Sequence, residues 1–154
     1  MDMGEAQGRL AAAARDVFEI FKVGNLTLCA AESCTGGLVG SSIVGISGAS
    51  SIFKGSAVCY CDASKISVLG VRRDTIENCF AESRQCSIEM ARGAMRIFGA
   101  DAGFYDGISR RQRGREAAGA RRKGFCMRLR WGRRKDFGIL LSNIPRYKRR
   151  QKFE

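Results

Sequence analysis

The sequence predicts an α/β fold in which helices and strands alternate along the first two-thirds of the chain. Apolar residues recur at helical spacing in some segments, and short apolar or alternating runs typical of strands lie between them. Glycines and hydroxyl residues stand at many of the junctions. The chain has 154 residues, of which 45% are hydrophobic, and this suits one domain with a packed core. Such alternation is typical of layered α/β proteins.

Each predicted element has its own pattern. Residues 5–23 carry an apolar stripe at helical spacing, and Gly24-Asn25 ends this helix. A buried strand is predicted over 26–31, a helix over 37–44, a strand over 56–60, short helices over 62–69 and 73–79, a longer helix from Ser83 to about residue 98, and a strand over 102–105. We expect Asp62 and Ser83 to cap the helices that they begin.

Two loops of small residues carry the candidate chemistry. Ser33-Cys34-Thr35-Gly36-Gly37 connects a predicted strand to a helix, where hydroxyls and backbone N–H groups can meet an anion. A capped helix start without a ligand is the alternative interpretation. The second loop covers residues 45–51, and Lys65 follows it after a predicted strand.

The composition excludes several kinds of site. The chain contains no histidine, so Ser-His-Asp and Cys-His catalysis are excluded, and a general base must be Lys, Asp, Glu or Tyr. Cys59-x-Cys61 does not have zinc-ligand spacing. We therefore predict no metal and no cofactor. The seven cysteines are an odd number, which favours reduced thiols in a cytosol.

The first residues and the apolar runs of the sequence bear on where the protein is located. The N-terminal residues lack a signal-peptide pattern and no apolar run could span a bilayer, so we expect a cytoplasmic protein without membrane contact.

The distribution of charge divides the chain in two. Residues 110–154 contain 17 Lys and Arg against three acids, whereas residues 1–109 contain 10 against 12. This basic segment has no helical or strand stripe and is predicted to be a poorly patterned tail. Its aromatic residues would allow non-specific nucleic-acid binding through phosphate contacts and stacking.

The blocks Ala31-Glu32-Ser33-Cys34-Thr35-Gly36-Gly37, Gly48-Ala49-Ser50, Tyr60, Lys65 and Glu89-Met90-Ala91 carry a resemblance. Together they resemble the CinA C-terminal domain family over about residues 8–109. The resemblance implies a three-layer α/β/α sandwich that works without a metal. It also implies an amidase that hydrolyses the carboxamide of nicotinamide mononucleotide to nicotinate mononucleotide and ammonia, and a homo-oligomer as one expected state.

The resemblance also implies residue roles. Ser50 matches the nucleophile, Lys65 the base and Ser33 a helper that orients or relays the proton. The implied substrate-binding residues are Tyr60, Thr35, Gly36 and, on a weaker match, Arg146. A serine hydroxyl needs a neighbouring base to become a nucleophile, and lysine can serve when burial or cationic neighbours lower its pKa. Backbone N–H groups near Ser50 and Ser51 are expected to hold the oxyanion.

The match ends near residue 106. Asp106 stands where family members place a hydroxyl residue that helps to bind substrate, and the expected G-P-x-G-G loop and G-D-R motif do not follow. A reading-frame shift in the encoding sequence is the favoured explanation, and a genuine C-terminal replacement is the other. Residues 1–109 are thus interpreted as an incomplete amidase domain, followed by an atypical basic segment that is either frame-shifted or disordered. The alternative functions are a catalytically inactive homologue and a nucleic-acid-binding module.

Overall fold

The structure, a computed structural model, describes residues 2–107, 126–131 and 135–141. Its helices are α1 (Met3–Val23), α2 (Leu38–Val44), α3 (Asp62–Ser67), α4 (Arg73–Cys79) and α5 (Arg84–Phe98), and a short 3-10 turn covers Ala49–Ser51. Its strands are β1 (Leu28–Glu32), β2 (Phe53–Val58), β3 (Ala102–Gly107), β4 (Cys126–Trp131) and β5 (Lys135–Leu141). No helix within these residues is long and apolar enough to cross a membrane.

The five strands form one sheet in the order β2-β1-β3-β5-β4. β1 pairs in parallel with β2 on one side and with β3 on the other. β5 is antiparallel to both β3 and β4. The carboxyl ends of β1, β2 and β3 therefore meet at one edge of the sheet, and the residues that follow these strands are brought near one another.

Helices cover both faces of the sheet, and successive side chains of β1 contact helices on opposite faces because side chains alternate along a strand. Leu28 packs with Phe18 of α1 and Ile43 of α2. The next residue, Cys29, packs with Met90 of α5. All five residues of β1 are buried, as expected for a parallel strand that is covered on both faces. The predicted α/β class and its three-layer arrangement are confirmed.

Strands β4 and β5 lie within the basic segment for which the sequence indicated no regular pattern. In the structure these two stretches form strands. β5 pairs with β3 along six residue pairs, from Ala102↔Leu141 to Gly107↔Asp136. Backbone groups of an existing strand can recruit a new strand whatever its side-chain pattern, so the high positive charge of this segment did not prevent pairing here.

Capping residues and glycines in the sequence predicted most helix ends correctly. The hydroxyl oxygen of Ser83 accepts a hydrogen bond from the N–H of Cys86 (3.1 Å) and caps α5 as predicted. Gly99 ends that helix in a left-handed conformation. The N-cap of α3 is Cys61 rather than the predicted Asp62, and Asp62 lies in the first turn. There its negative charge is favoured by the helix dipole.

The segment that follows α3 packs tightly on α5. A Cβ atom added to Gly93 would lie 2.0 Å from the carbonyl oxygen of Leu69, so only glycine allows this close approach. The N–H of Val71 donates to the carbonyl oxygen of Lys65 (3.1 Å). These contacts fix α3 against the sheet and place Lys65 among buried residues.

Phe80, which follows α4, has an unfavourable backbone conformation. Its φ is 67° and its ψ is 155°, a region that is essentially restricted to glycine and that costs about 1–3 kcal/mol for other residues. The side chain is 62% exposed, so it contributes little packing. We expect Phe80→Gly to raise the free energy of unfolding by about 1 kcal/mol, after the entropy cost of glycine is included. Urea unfolding measures this change.

Asn25→Gly is the matched control, because Asn25 also has a positive φ, of 49°. Asparagine tolerates the left-handed region, so this substitution relieves little strain and we expect a smaller change. A destabilised Phe80→Gly protein would contradict the assignment of strain to this position.

Candidate active site

The carboxylate of Glu32 organises the loop between β1 and α2. Glu32 is fully buried at the end of β1. Its Oε2 accepts hydrogen bonds from Thr35 Oγ1 (2.7 Å) and Val39 N (2.9 Å). Its Oε1 accepts from Gly40 N (2.9 Å) and Ser56 Oγ (2.7 Å). One side chain thus connects β1 to the start of α2 and to the neighbouring strand β2.

A second buried carboxylate reaches the same loop from β3. Asp106 is 1% exposed. Its Oδ1 accepts from the backbone N–H of Ser33 (2.6 Å). Its Oδ2 accepts from Thr35 N (2.7 Å) and the thiol of Cys34 (3.4 Å). The Thr35 Oγ1 lies 2.5 Å from this Oδ2 and 2.7 Å from Oε2 of Glu32, and its one hydroxyl proton can be donated to only one of these two oxygens at a time. Asp106, which the sequence analysis noted only as a departure from the family pattern, therefore supports the loop together with Glu32.

These contacts change the expectation of an anion-binding loop. The N–H groups of Ser33, Thr35, Val39 and Gly40 all donate to carboxylates of the protein itself. A negative group at a helix N-terminus is favoured, and here Glu32 supplies it. Within the predicted anion-binding loop, the N–H groups of Ser33 and Thr35 are therefore already occupied by Asp106.

Lys65 is buried, with 5% of its surface exposed. Its Nζ lies 3.8 Å from Oδ1 of Asp62, which is longer than a hydrogen bond. Burial raises the pKa of the Cys86 thiol to about 11, and the positive charge of Lys65 opposes this increase. Burial likewise raises the pKa of Cys59, and the charge of Lys65 again acts in the opposite direction. The lysine thus lies close to two buried thiols, where the carboxyl end of β2 meets the start of α5.

Ser50 is exposed in the 3-10 turn that precedes β2. The hydroxyl of Ser51 donates to the carbonyl oxygen of Gly48 (2.8 Å), and the Ser51 N–H donates to the same carbonyl (3.0 Å). The turn therefore uses the Ser51 N–H that was expected to hold an oxyanion. Gly48 has a φ of 82°, which favours glycine at the start of the turn.

The structure brings some of the predicted site residues together and separates others. The residues that follow the carboxyl ends of β1 and β2 are Ser33, Thr35, Gly36, Tyr60 and Lys65. Ser50 lies at the amino end of β2. The six residues of β2 span about 17 Å, which a lysine side chain cannot bridge. Ser50 and Lys65 are therefore not brought into contact within one chain.

The predicted substrate-binding roles of Tyr60 and Arg146 stay predictions. Tyr60 is 78% exposed, which leaves its ring accessible at the carboxyl end of β2. Arg146 lies outside the described residues, as do most of the basic residues on which nucleic-acid binding was predicted. The sequence did not identify Glu32 and Asp106 as supporting residues. A glutamate at the end of the apolar run Leu28–Glu32 was an available sign, because buried acids require hydrogen-bond donors.

A model of the CinA C-terminal domain matches residues 10–109, the region that contains β1, β2, β3 and the helices between them. The chain belongs to the CinA C-terminal domain family. A CinA-like protein of Fervidobacterium nodosum is 52% identical over 82 residues, which are 53% of this chain and 20% of that protein. A putative competence-damage inducible protein of Clostridioides difficile is 48% identical over 80 residues, 52% of this chain and 19% of that protein.

Solved structures agree with the family assignment. The crystal structure of the competence/damage inducible protein CihA from Agrobacterium tumefaciens has a TM-score of 0.62 at 30% identity, and the match covers 70% of this chain and 66% of that one. A CinA superfamily protein from Enterobacter cloacae has a TM-score of 0.64 at 24% identity, with coverage of 87% and 79%, which bears on the fold alone. This chain spans about a fifth of the length of the curated relatives that it matches.

The role of Glu32 can be measured through stability. Glu32→Gln preserves the shape of the side chain but turns an NH₂ group toward one pair of its present donors. We expect a loss of about 3 kcal/mol in the free energy of unfolding, since buried donors then lose their acceptor. The control is Glu19→Gln on the exposed side of α1. Equal effects of the two substitutions in urea unfolding would contradict the supporting role.

Proposed function

We propose that this family member is an amidohydrolase that acts on the carboxamide of nicotinamide mononucleotide, with Ser50 as nucleophile and Lys65 as base. The observation that carries the proposal is the burial of Lys65 at the position of the family's base, in a chain without histidine. A buried lysine is the setting in which lysine serves as a general base. The exposed Ser50, in a turn of small residues, is accessible to a bulky substrate.

The reaction proceeds in two halves. Oγ of Ser50 forms a bond to the carboxamide carbon while Lys65 takes the hydroxyl proton. Because one chain separates the two residues, the expected homo-oligomer has to supply this Lys65 from a second copy of the chain. The tetrahedral intermediate collapses, the C–N bond breaks, and the proton on Lys65 leaves with the nitrogen as ammonia. Water then attacks the resulting ester, Lys65 takes its proton, and the carboxylate product and the Ser50 hydroxyl are released. Ser33 orients the proton transfer, and Tyr60, Thr35 and Gly36 contact the substrate.

Single substitutions test the proposed pair. We expect Ser50→Ala and Lys65→Ala each to reduce the rate of ammonia release from nicotinamide mononucleotide, without added metal, by at least about 10³-fold, because residues that act as a unit have large individual effects. Ser47→Ala, in the same loop, and Lys22→Ala, at the end of α1, are the matched controls and should retain the wild-type rate. Full activity in either site variant would refute the assigned roles.

A catalytically inactive homologue is the second candidate, and Asp106 is the observation that favours it. Its carboxylate occupies the N–H groups of Ser33 and Thr35 at the position where family members are expected to have a substrate-binding hydroxyl. A carboxylate oxygen there is also an acceptor that makes no favourable contact with the acceptor oxygens of an anionic nucleotide. The same contacts that stabilise the loop thus oppose the proposed activity.

Asp106→Thr restores the hydroxyl that the family pattern places before Gly107. We expect kcat/KM for nicotinamide mononucleotide to rise by at least about tenfold, since one repulsive charge is removed and donors in the loop are released. Asp106→Asn is the control that removes the charge without restoring the hydroxyl, and it should have a smaller effect. Unchanged or lower kcat/KM in a folded Asp106→Thr protein would show that the carboxylate does not limit the reaction.

A further inference from the structure

We propose that Cys61 is a site of reversible oxidation by hydroperoxides, and that Cys59 is the thiol that closes a disulfide bond with it. The proposed amidase reaction uses neither thiol. Cys59 directly follows β2, Tyr60 lies between the two cysteines, and Cys61 is the N-cap of α3. The two thiols therefore flank the exposed Tyr60 ring and lie just before the helix that carries Lys65.

Cys61 differs from the other cysteines in its exposure to solvent. Six cysteines lie within residues 2–107, and Cys61 is the exposed one among them. Cys29 and Cys86 are fully buried, and burial raises the pKa of these thiols to about 12 and about 11. Oxidants in solution react with thiolates that they can reach. Accessibility thus favours Cys61 over the buried thiols as the first residue to be oxidised.

Ser64, in the first turn of α3, makes the Cys61 thiol easier to ionise. The Sγ of Cys61 lies 3.4 Å from the Ser64 hydroxyl oxygen, and this hydroxyl donates to the carbonyl oxygen of Cys61 (2.8 Å). Because a hydroxyl rotates, its proton is also available to a thiolate at Cys61. The Ser64 hydroxyl, followed by the Ser64 backbone N–H, lowers the pKa of the Cys61 thiol. A lowered pKa increases the fraction of thiolate, which is the form that attacks peroxides.

Cys59 is placed to react with an oxidised Cys61. The N–H of Cys59 donates to the carbonyl oxygen of Glu32 (2.8 Å), which extends the pairing of β2 with β1 by one residue. The backbone of Cys61 is also extended, with φ −94° and ψ 160°. Residues two apart in an extended chain face the same side, and their Cα atoms are about 6.6 Å apart. This separation lies within the range of about 4.4–6.8 Å that disulfides allow.

The two thiols share one neighbourhood but differ in access to solvent. Burial raises the pKa of Cys59, the Ser64 hydroxyl opposes this increase, and negative charge on Cys61 adds to it. Both sulfurs therefore lie near the same hydroxyl group. Cys59 is only 2% exposed and packs with Leu69 and Val71, so it is shielded from oxidants in solution. Cys61 is thus the thiol that meets the oxidant, and Cys59 reacts after it.

The reaction has two steps and consumes one molecule of hydrogen peroxide. The Cys61 thiolate attacks a peroxide oxygen, the O–O bond breaks, and hydroxide leaves while a sulfenic acid forms on Cys61. The Cys59 sulfur then attacks the Cys61 sulfur, an S–S bond forms, and the sulfenic hydroxyl leaves with the Cys59 proton as water. The two thiols together lose two electrons, and the peroxide gains them. A dithiol reductant reverses the modification by thiol–disulfide exchange.

Closure of this disulfide acts on the start of α3. The carbonyl oxygen of Cys61 accepts from the backbone N–H of Lys65 (3.1 Å), so a shift of Cys61 displaces the turn on which Lys65 is held. A disulfide closed over so short a segment is strained, and strained or exposed disulfides are the ones that are readily reduced again. We therefore expect oxidation to lower the rate of ammonia release and reduction to restore it, a consequence that rests on the proposed function.

Peptide mass spectrometry of the whole protein tests the modification independently of activity. Trypsin cleaves after Lys54 and Lys65, so the peptide 55–65 contains Cys59 and Cys61 and no other cysteine. After treatment with hydrogen peroxide and then an alkylating reagent, we expect this peptide to lack two hydrogen atoms and to carry no alkyl group. Dithiothreitol added before alkylation should restore two alkylated thiols.

Three variants separate the roles of these residues. Cys61→Ser should leave Cys59 reduced, whereas Cys59→Ser should leave a sulfenic acid on Cys61 that dimedone captures. Ser64→Ala should slow the oxidation of Cys61 by at least about threefold, because the thiolate loses a hydrogen-bond donor. The control is Cys79→Ser, which removes a half-buried thiol at the end of α4 and should form the disulfide as the wild-type protein does.

Several results would overturn the proposal. Both thiols of the peptide 55–65 remaining alkylatable after peroxide treatment is one, and oxidation of Cys61 no faster than that of Cys79 is another. A disulfide between Cys61 of two chains, seen as a doubled mass without reductant, refutes Cys59 as the partner. If the internal disulfide forms in a protein that releases no ammonia before treatment, the proposed function is refuted and the modification is confirmed.

Discussion

Two buried carboxylates determine the conformation on which the rest of the site depends. Glu32 ends β1, Asp106 lies near the end of β3, and between them they accept hydrogen bonds from the loop and from the first turn of α2. Buried carboxylates persist only where donors surround them. The loop is therefore shaped by the need to satisfy these acids, and the positions of Ser33 and Thr35 follow from that requirement.

The order of the strands has a second consequence. Because β1 lies between β2 and β3, the carboxyl ends of three parallel strands gather one set of polar residues, and β2 remains at the edge of the sheet. Ser50, which precedes this edge strand, is therefore remote from that set within its own chain.

Much of the fold could be predicted from the sequence, because capping residues and glycines mark the ends of its helices. Ser83 and Gly99 bound α5 as expected. β2 was predicted to begin too late, since the irregular register at Lys54 hides its first residues from an alternation pattern. The pairing of β5 with β3 depends on backbone groups that no side-chain pattern reveals. The supporting role of Asp106 also required the structure, because its donors lie more than seventy residues away in sequence.

Hydrogen exchange of four backbone amides tests the central claim most directly. The N–H groups of Ser33, Thr35, Val39 and Gly40 donate to Glu32 or Asp106, so they should exchange as slowly as the amides of β1 when followed by NMR in the native protein. The exposed loop residue Ser47 supplies the fast reference. If these four amides exchange as fast as that of Ser47, the carboxylates do not hold the loop, and this account of the site is wrong.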